Sequence, residues 1–146
     1  MRDGRDIAVS YQEINEGTAT SVYKPVLPSN IEDIALEWKN NGENFLRLLD
    51  NSSSVILIRY EDLLLQPKET LTKVFEFLGL DFEENVLKFY ESNDEPNDFL
   101  QWKSKTTQKI DPNNQGKYKE ALSEKDIAIF NELANEVLGK FGYELS

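Results

Sequence analysis

Three stretches of the chain carry residue types able to do chemistry. The first is Arg2-Asp3-Gly4-Arg5-Asp6-Ile7-Ala8-Val9-Ser10, with two arginines ahead of a helical pattern and a serine inside it. A helix start offers free N–H groups and the positive end of the backbone dipole. Arginine adds a planar fork of donors that matches phosphate oxygens, so the combination suits a phosphate. Its plainer reading is a terminus with solvated Arg–Asp pairs. The second stretch is Arg59-Tyr60-Glu61-Asp62-Leu63, just after an aliphatic run. A tyrosine there could meet a nucleobase with its ring or hydroxyl, or simply pack. Glu61 and Asp62 read more readily as caps or ion pairs than as catalysts. The third is residues 103–119, where Lys103, Lys105, Lys109, Lys117 and Lys119 face one acid, Asp111. In so acidic a chain this local excess is a candidate anion site, or a solvated loop. Gln115-Gly116-Lys117-Tyr118 closes it with a glycine suited to a tight backbone approach.

Composition narrows that chemistry. The 146 residues include no histidine and no cysteine. A Ser–His triad, a histidine base, thiol catalysis, disulfides and zinc thiolates are therefore excluded within this chain, and no metal site is expected. With 16 basic and 27 acidic residues the net charge is −11, which argues against nucleic acid as a partner. No run of about 18 apolar residues exists, so no membrane partner is expected. The opening residues show no secretory pattern, and a cytoplasmic location is the expectation. Hydrophobic residues make up 39% and aromatics 11%: enough for a modest core, and too much for a disordered chain. The length fits one domain.

The elements that must position these residues are mostly helices. Ile7, Tyr11 and Ile14 recur at helical spacing over residues 2–14, started by Asp3 or Gly4. Residues 15–29 read as a loop. Ser29 and Glu32 have capping-box spacing for a second helix, whose apolar face is Ile31, Ile34, Ala35, Trp38, Phe45 and Leu49, with Gly42 able to kink it. Val55-Ile56-Leu57-Ile58 reads as a strand buried on both faces, as in a parallel sheet, ending at Arg59. Pro67 opens a third helix carrying Leu71, Val74, Phe75 and Leu78, and Gly79 ends it. A short helix over 83–91 buries Val86, Leu87 and Tyr90. Residues 92–120 read as irregular, with Trp102 as a lid or anchor. The last helix starts at Ser123, presents Ile127, Phe130, Ala134, Val137, Leu138 and Phe141, and stops at Gly142. A strand buried on both faces needs partners for its N–H and C=O groups, and no other segment supplies them, so 1–146 is expected to be a single domain or part of a larger one.

Together these stretches resemble the C-terminal part of a sulfotransferase that uses 3′-phosphoadenosine 5′-phosphosulfate (PAPS). Arg2-Asp3-Gly4-Arg5-Asp6 with Ser10 is similar to that family's 3′-phosphate motif, where proline usually holds the place of Gly4. Tyr60-Glu61-Asp62-Leu63 with Pro67 and Phe77-Leu78-Gly79-Leu80 resembles its strand–helix segment. Gly116-Lys117-Tyr118-Lys119 and Phe141-Gly142-Tyr143 resemble its closing loop and helix, with Tyr118 where tryptophan is usual. The resemblance implies an α/β class, a truncated P-loop-type sulfotransferase fold, predominantly helical here with one interior parallel-type strand at 55–59. It implies PAPS, or its product 3′,5′-adenosine bisphosphate, as cofactor, with no metal, and a small-molecule or glycan acceptor. Arg2 and Ser10 would hold the 3′-phosphate and Tyr60 the adenine. The family's basic stretch reads Asp111-Pro112-Asn113 here, leaving Lys109 as the nearest cation. The family's Pro-Lys-Ser-Gly-Thr-Thr loop and its acceptor base are absent from the 146 residues. No catalytic residue is therefore assigned, and an N-terminal half or a second chain is expected to complete the sheet. Two alternatives stand beside this: a non-catalytic acidic helical interaction module, and a remnant of a nucleotide kinase, disfavoured by the lack of a Gly-x-x-x-x-Gly-Lys-Ser/Thr loop.

Overall fold

The computed structural model describes residues 1–17, 25–91 and 107–145. Helix α1, Gly4–Glu16, begins where the Asp3 carboxylate accepts the Arg5 N–H, and it ends at Gly17. Helix α2, Ile31–Asn51, is capped by Asn30, whose side-chain oxygen accepts the Asp33 N–H at 2.8 Å. The capping pair expected at Ser29 and Glu32 thus lies one residue further on. Helix α3, Tyr60–Leu65, leads directly into α4, Pro67–Leu78. Proline occupies the first turn of α4, and Gly79 closes it at φ 70, a left-handed conformation open to glycine at no steric cost. A 3₁₀ segment, Glu84–Glu91, and the single turn α5, Tyr118–Ala121, follow. Helix α6, Glu124–Lys140, is capped as expected, with the Ser123 hydroxyl accepting the Asp126 N–H.

The main core lies between α1, α2 and α6. Ala8 and Val9 from α1, Ile31, Ile34, Ala35 and Trp38 from α2, and Phe130, Ala134, Val137 and Leu138 from α6 are all buried there. Trp38 sits at its centre, with ring centroids 5.9 Å from Phe130, 6.1 Å from Phe141 and 6.3 Å from Tyr143. Gly42 does not kink α2. A β-carbon placed there would stand 2.6 Å from Val137 Cγ1 and 3.1 Å from Phe141 Cε2, so the glycine permits close crossing of α2 and α6. Gly4 has the same role under the aromatic cluster, where an added β-carbon would run into the Phe130 and Trp38 rings.

The expected α/β class is corrected by this architecture. Among the described residues there is no strand and no sheet, and every regular element is a helix. Residues 55–59 form no regular element, and Val55 to Ile58 are half-buried rather than enclosed on both faces. A strand exists only as part of a ladder. Here two backbone bonds link this run to Met1: its amine donates to the Ile58 carbonyl, and its carbonyl accepts the Tyr60 N–H at 2.7 Å. Two bonds around one residue do not make a ladder. The helices α3 and α5, which periodicity missed, occupy stretches read as a strand end and as loop. Phe75 of α4 is half-buried, edge-on to Phe82 at 5.6 Å, and lies outside the main cluster. Trp102, Lys103 and Lys105 lie outside the described residues.

Candidate functional site

Most of the polar residues in the first motif are structural. The Asp3 carboxylate caps α1 and also grips the Arg5 guanidinium, at 3.0 Å from Nε and 2.8 Å from a terminal nitrogen. Arg5 further donates to Asn131 at 3.1 Å and lies over the Tyr118 ring at 4.2 Å. Its charge is thus paired and stacked in the interior, which is what makes such burial tolerable. Asp6, equally buried, accepts the N–H of Gly116 at 2.6 Å and of Tyr118 at 3.0 Å. The first turn of α1 therefore clamps the loop that precedes α5. Glu61 ties down the remaining side. It accepts the Asp3 N–H and the Tyr143 hydroxyl, both at 2.9 Å. Burial and the Glu61 charge push the Tyr143 phenol far above its ordinary range, so it stays a donor.

Arg2 is half-buried, and its side chain takes no part in this clamp. The Trp38 indole N–H holds its carbonyl at 3.0 Å. Its guanidinium lies 4.9 Å from the centroid of the Tyr60 ring and donates to Ser10 Oγ at 3.0 Å. Ser10 Oγ in turn donates a hydrogen bond to the Asp6 carbonyl at 3.1 Å. The Arg2 Nε atom is buried with no hydrogen-bond partner among the described residues. Buried polar atoms seldom stay unpaired, and no carboxylate forms an ion pair with Arg2 among the described residues, unlike Arg5 with Asp3. The donor set fits an incoming anion.

Tyr60 connects Arg2 to a cavity of about 380 Å³, walled by Leu63, Leu64, Leu71, Val86 and Ile110 among others, at the small end of the roughly 300–1,000 Å³ typical of ligand sites. Asn114 Nδ2 donates to the Tyr60 hydroxyl at 2.6 Å. Lys109 lines the same cavity, with its ammonium 5.7 Å from the Tyr90 ring centroid. The four candidate residues therefore divide in two. Arg2, Ser10 and Tyr60 form one continuous set of contacts, whereas Lys109 joins Tyr60 on the cavity wall and Arg2 and Ser10 do not line it. Sequence reasoning missed Asp6, Asn114 and Tyr143. For Asp6 the signal was an acid in the first turn of α1, beyond the Asp3 cap; for Asn114 there was none, since its partner is 54 residues away.

Among the described residues no three carboxylates come together to hold a metal ion, and no helix is long and apolar enough to cross a membrane. Comparison with individually curated proteins finds no match. A family model described as the sulfotransferase domain matches residues 1–142. That span takes in the clamp, Arg2 with Ser10 and Tyr60, and the loop bearing Lys109 and Asn114, and the chain belongs to the sulfotransferase family.

Proposed function

We propose that this chain supplies the 3′-phosphate and adenine side of a PAPS site. The observation that carries the reading is the Arg2 guanidinium, bonded to Ser10 Oγ at 3.0 Å, stacked on Tyr60 and keeping one buried nitrogen unpaired. Bound PAPS would supply the sulfuryl group for transfer to a hydroxyl or amine acceptor. The residues of this chain bind and orient. Arg2 offers charge-assisted hydrogen bonds to a phosphate, and Ser10 fixes the direction of the guanidinium. Tyr60 presents ring and hydroxyl to a base lodged in the apolar cavity, and Lys109 adds positive charge at the wall. A site made on a helix and held by buried clamps is already organised before the ligand arrives, which lowers the entropic cost of binding.

The 146 residues hold neither the loop that cradles the 5′-phosphosulfate nor a base for the acceptor. We therefore propose that the chain alone is catalytically incomplete and acts as part of a larger domain. Calorimetry with 3′,5′-adenosine bisphosphate tests the binding role. Arg2→Ala should weaken affinity by about tenfold or more, the scale of a lost charged hydrogen bond. Equal affinity in the variant would remove the main support. A second reading, a non-catalytic interaction module, draws on Leu65, Leu78 and Leu80, which are each more than half exposed. A stable fold with no affinity for the nucleotide would favour it.

A further inference from the structure

We propose that Asn114 is a positioning residue that sets base specificity: its amide fixes the Tyr60 hydroxyl as a donor into the cavity, so the site selects a base with a ring nitrogen in reach. This rests on the nucleotide reading above. Asn114 is buried, at 6% exposure, and its Nδ2 lies 2.6 Å from the Tyr60 oxygen. The loop that delivers it is held in place. The Asp111 carboxylate accepts the Asn113 N–H at 2.9 Å, the Asp111 carbonyl accepts the Asn114 N–H at 3.1 Å, and the Asp6 carboxylate grips the backbone at Gly116 and Tyr118. Tyr60 is fixed in turn by Arg2 over its ring.

A phenol has one hydrogen to donate and lone pairs to accept with. An amide N–H pointed at its oxygen excludes the arrangement in which the phenol hydrogen points back at the amide. That hydrogen turns instead toward the cavity which Tyr60 and Asn114 both line, where Leu63, Leu64, Leu71, Val86 and Ile110 make an apolar wall and Gln108 and Asp111 are the other groups able to accept. A base that presents an acceptor satisfies it. A base that presents C–H leaves a donor buried and unpaired, a cost that a site built on hydrogen bonds turns into rejection. Asn114 thus acts through Tyr60 and needs no contact with the ligand.

The test uses the 146-residue chain and calorimetry with 3′,5′-adenosine bisphosphate and its 1-deaza, 3-deaza and 7-deaza analogues, each with one ring nitrogen replaced by C–H. The unaltered chain should bind one of the three analogues about tenfold more weakly than the parent nucleotide. Asn114→Ala and Tyr60→Phe should each reduce that ratio to within about threefold, and the double variant should lose no more than Tyr60→Phe alone. Asn114→Asp, close in shape, gives a second route should the alanine variant fold poorly. It reverses the polarity of the contact and should also abolish the ratio. Because ratios between analogues are compared, repulsion of the phosphates by the added charge cancels. If the variants weaken all four ligands equally and keep the ratio, Asn114 is merely structural and the inference fails. An unaltered chain that binds all four equally well also overturns it, while leaving the nucleotide reading intact. An unaltered chain that binds none overturns both.

Discussion

At the scale of single residues, the chain spends most of its buried charge on holding the site rather than on forming it. Of the residues around the first turn of α1, Asp3, Arg5 and Asp6 are each satisfied by internal partners, and Glu61 is satisfied by Asp3 and Tyr143. Tyr143 makes this testable. Burial and the nearby Glu61 raise its pKa in the folded state. Below the ordinary tyrosine value of 10.0 both folded and unfolded chains keep the proton, and the full stabilisation from the neutral phenol is present. Above that value the unfolded chain gives up the proton while the folded chain retains it, so stability falls as pH rises. Urea midpoints taken from about pH 9 to about pH 11 should decline more steeply for the unaltered chain than for Tyr143→Phe, which has no proton to lose. Near neutrality the same variant should be less stable by about 1.5–3 kcal/mol, the worth of a hydrogen bond to a charged group. Parallel pH profiles would mean that the phenol does not face Glu61.

At the scale of elements, what was legible depended on whether the cause was local. The caps of α6 and the proline and glycine that bracket α4 act within a few residues, and each stood at or near its expected place. Helix α3 was hidden because Arg59 provides no side-chain cap and the preceding aliphatic run read as a strand. Four aliphatic residues in a row say that a segment is apolar; whether it joins a ladder depends on what lies beside it, which the segment does not encode. Gly42 shows the same limit. Its sequence context suggested a weak point in α2, whereas Val137 and Phe141 make it a contact surface. Two substitutions separate these views. Alanine is the better helix former by about 0.8–1 kcal/mol, and at Gly139 of α6, where nothing lies within 4 Å of an added β-carbon, Gly139→Ala should raise the thermal midpoint. At Gly42 the same change meets Val137 Cγ1 at 2.6 Å, and overpacking of about 1–3 kcal/mol should outweigh the gain. A stabilised Gly42→Ala would show that α2 and α6 can move apart at no cost.

At the scale of the whole molecule, a chain of net charge −11 is proposed to bind a polyanion. Arg2, Ser10 and Tyr60 could be named as candidates from the sequence because the first motif is continuous and the tyrosine follows an aliphatic run, and the structure brings the three into contact. The balance between their local attraction and the field of the whole chain was not, since it depends on where 27 acidic and 16 basic residues fall in space. The two forces differ in range. In the proposed site Arg2 would meet a phosphate in direct contact, and it is partly buried, so salt would screen that contact weakly. The net negative field acts over longer distances and is cut sharply as the screening length shrinks from about 30 Å at 0.01 M salt to about 8 Å at 0.15 M. Repulsion during approach should therefore fade before the contact attraction does. For 3′,5′-adenosine bisphosphate the association rate, measured by stopped-flow, should rise between these two salt concentrations, while the dissociation rate changes little. A basic phosphate-binding surface gives the reverse, with association slowing as salt is added. An association rate that drops steeply over the same range would place the ligand in a positively charged field, and so at a patch such as the lysines among residues 103–119 rather than at Arg2.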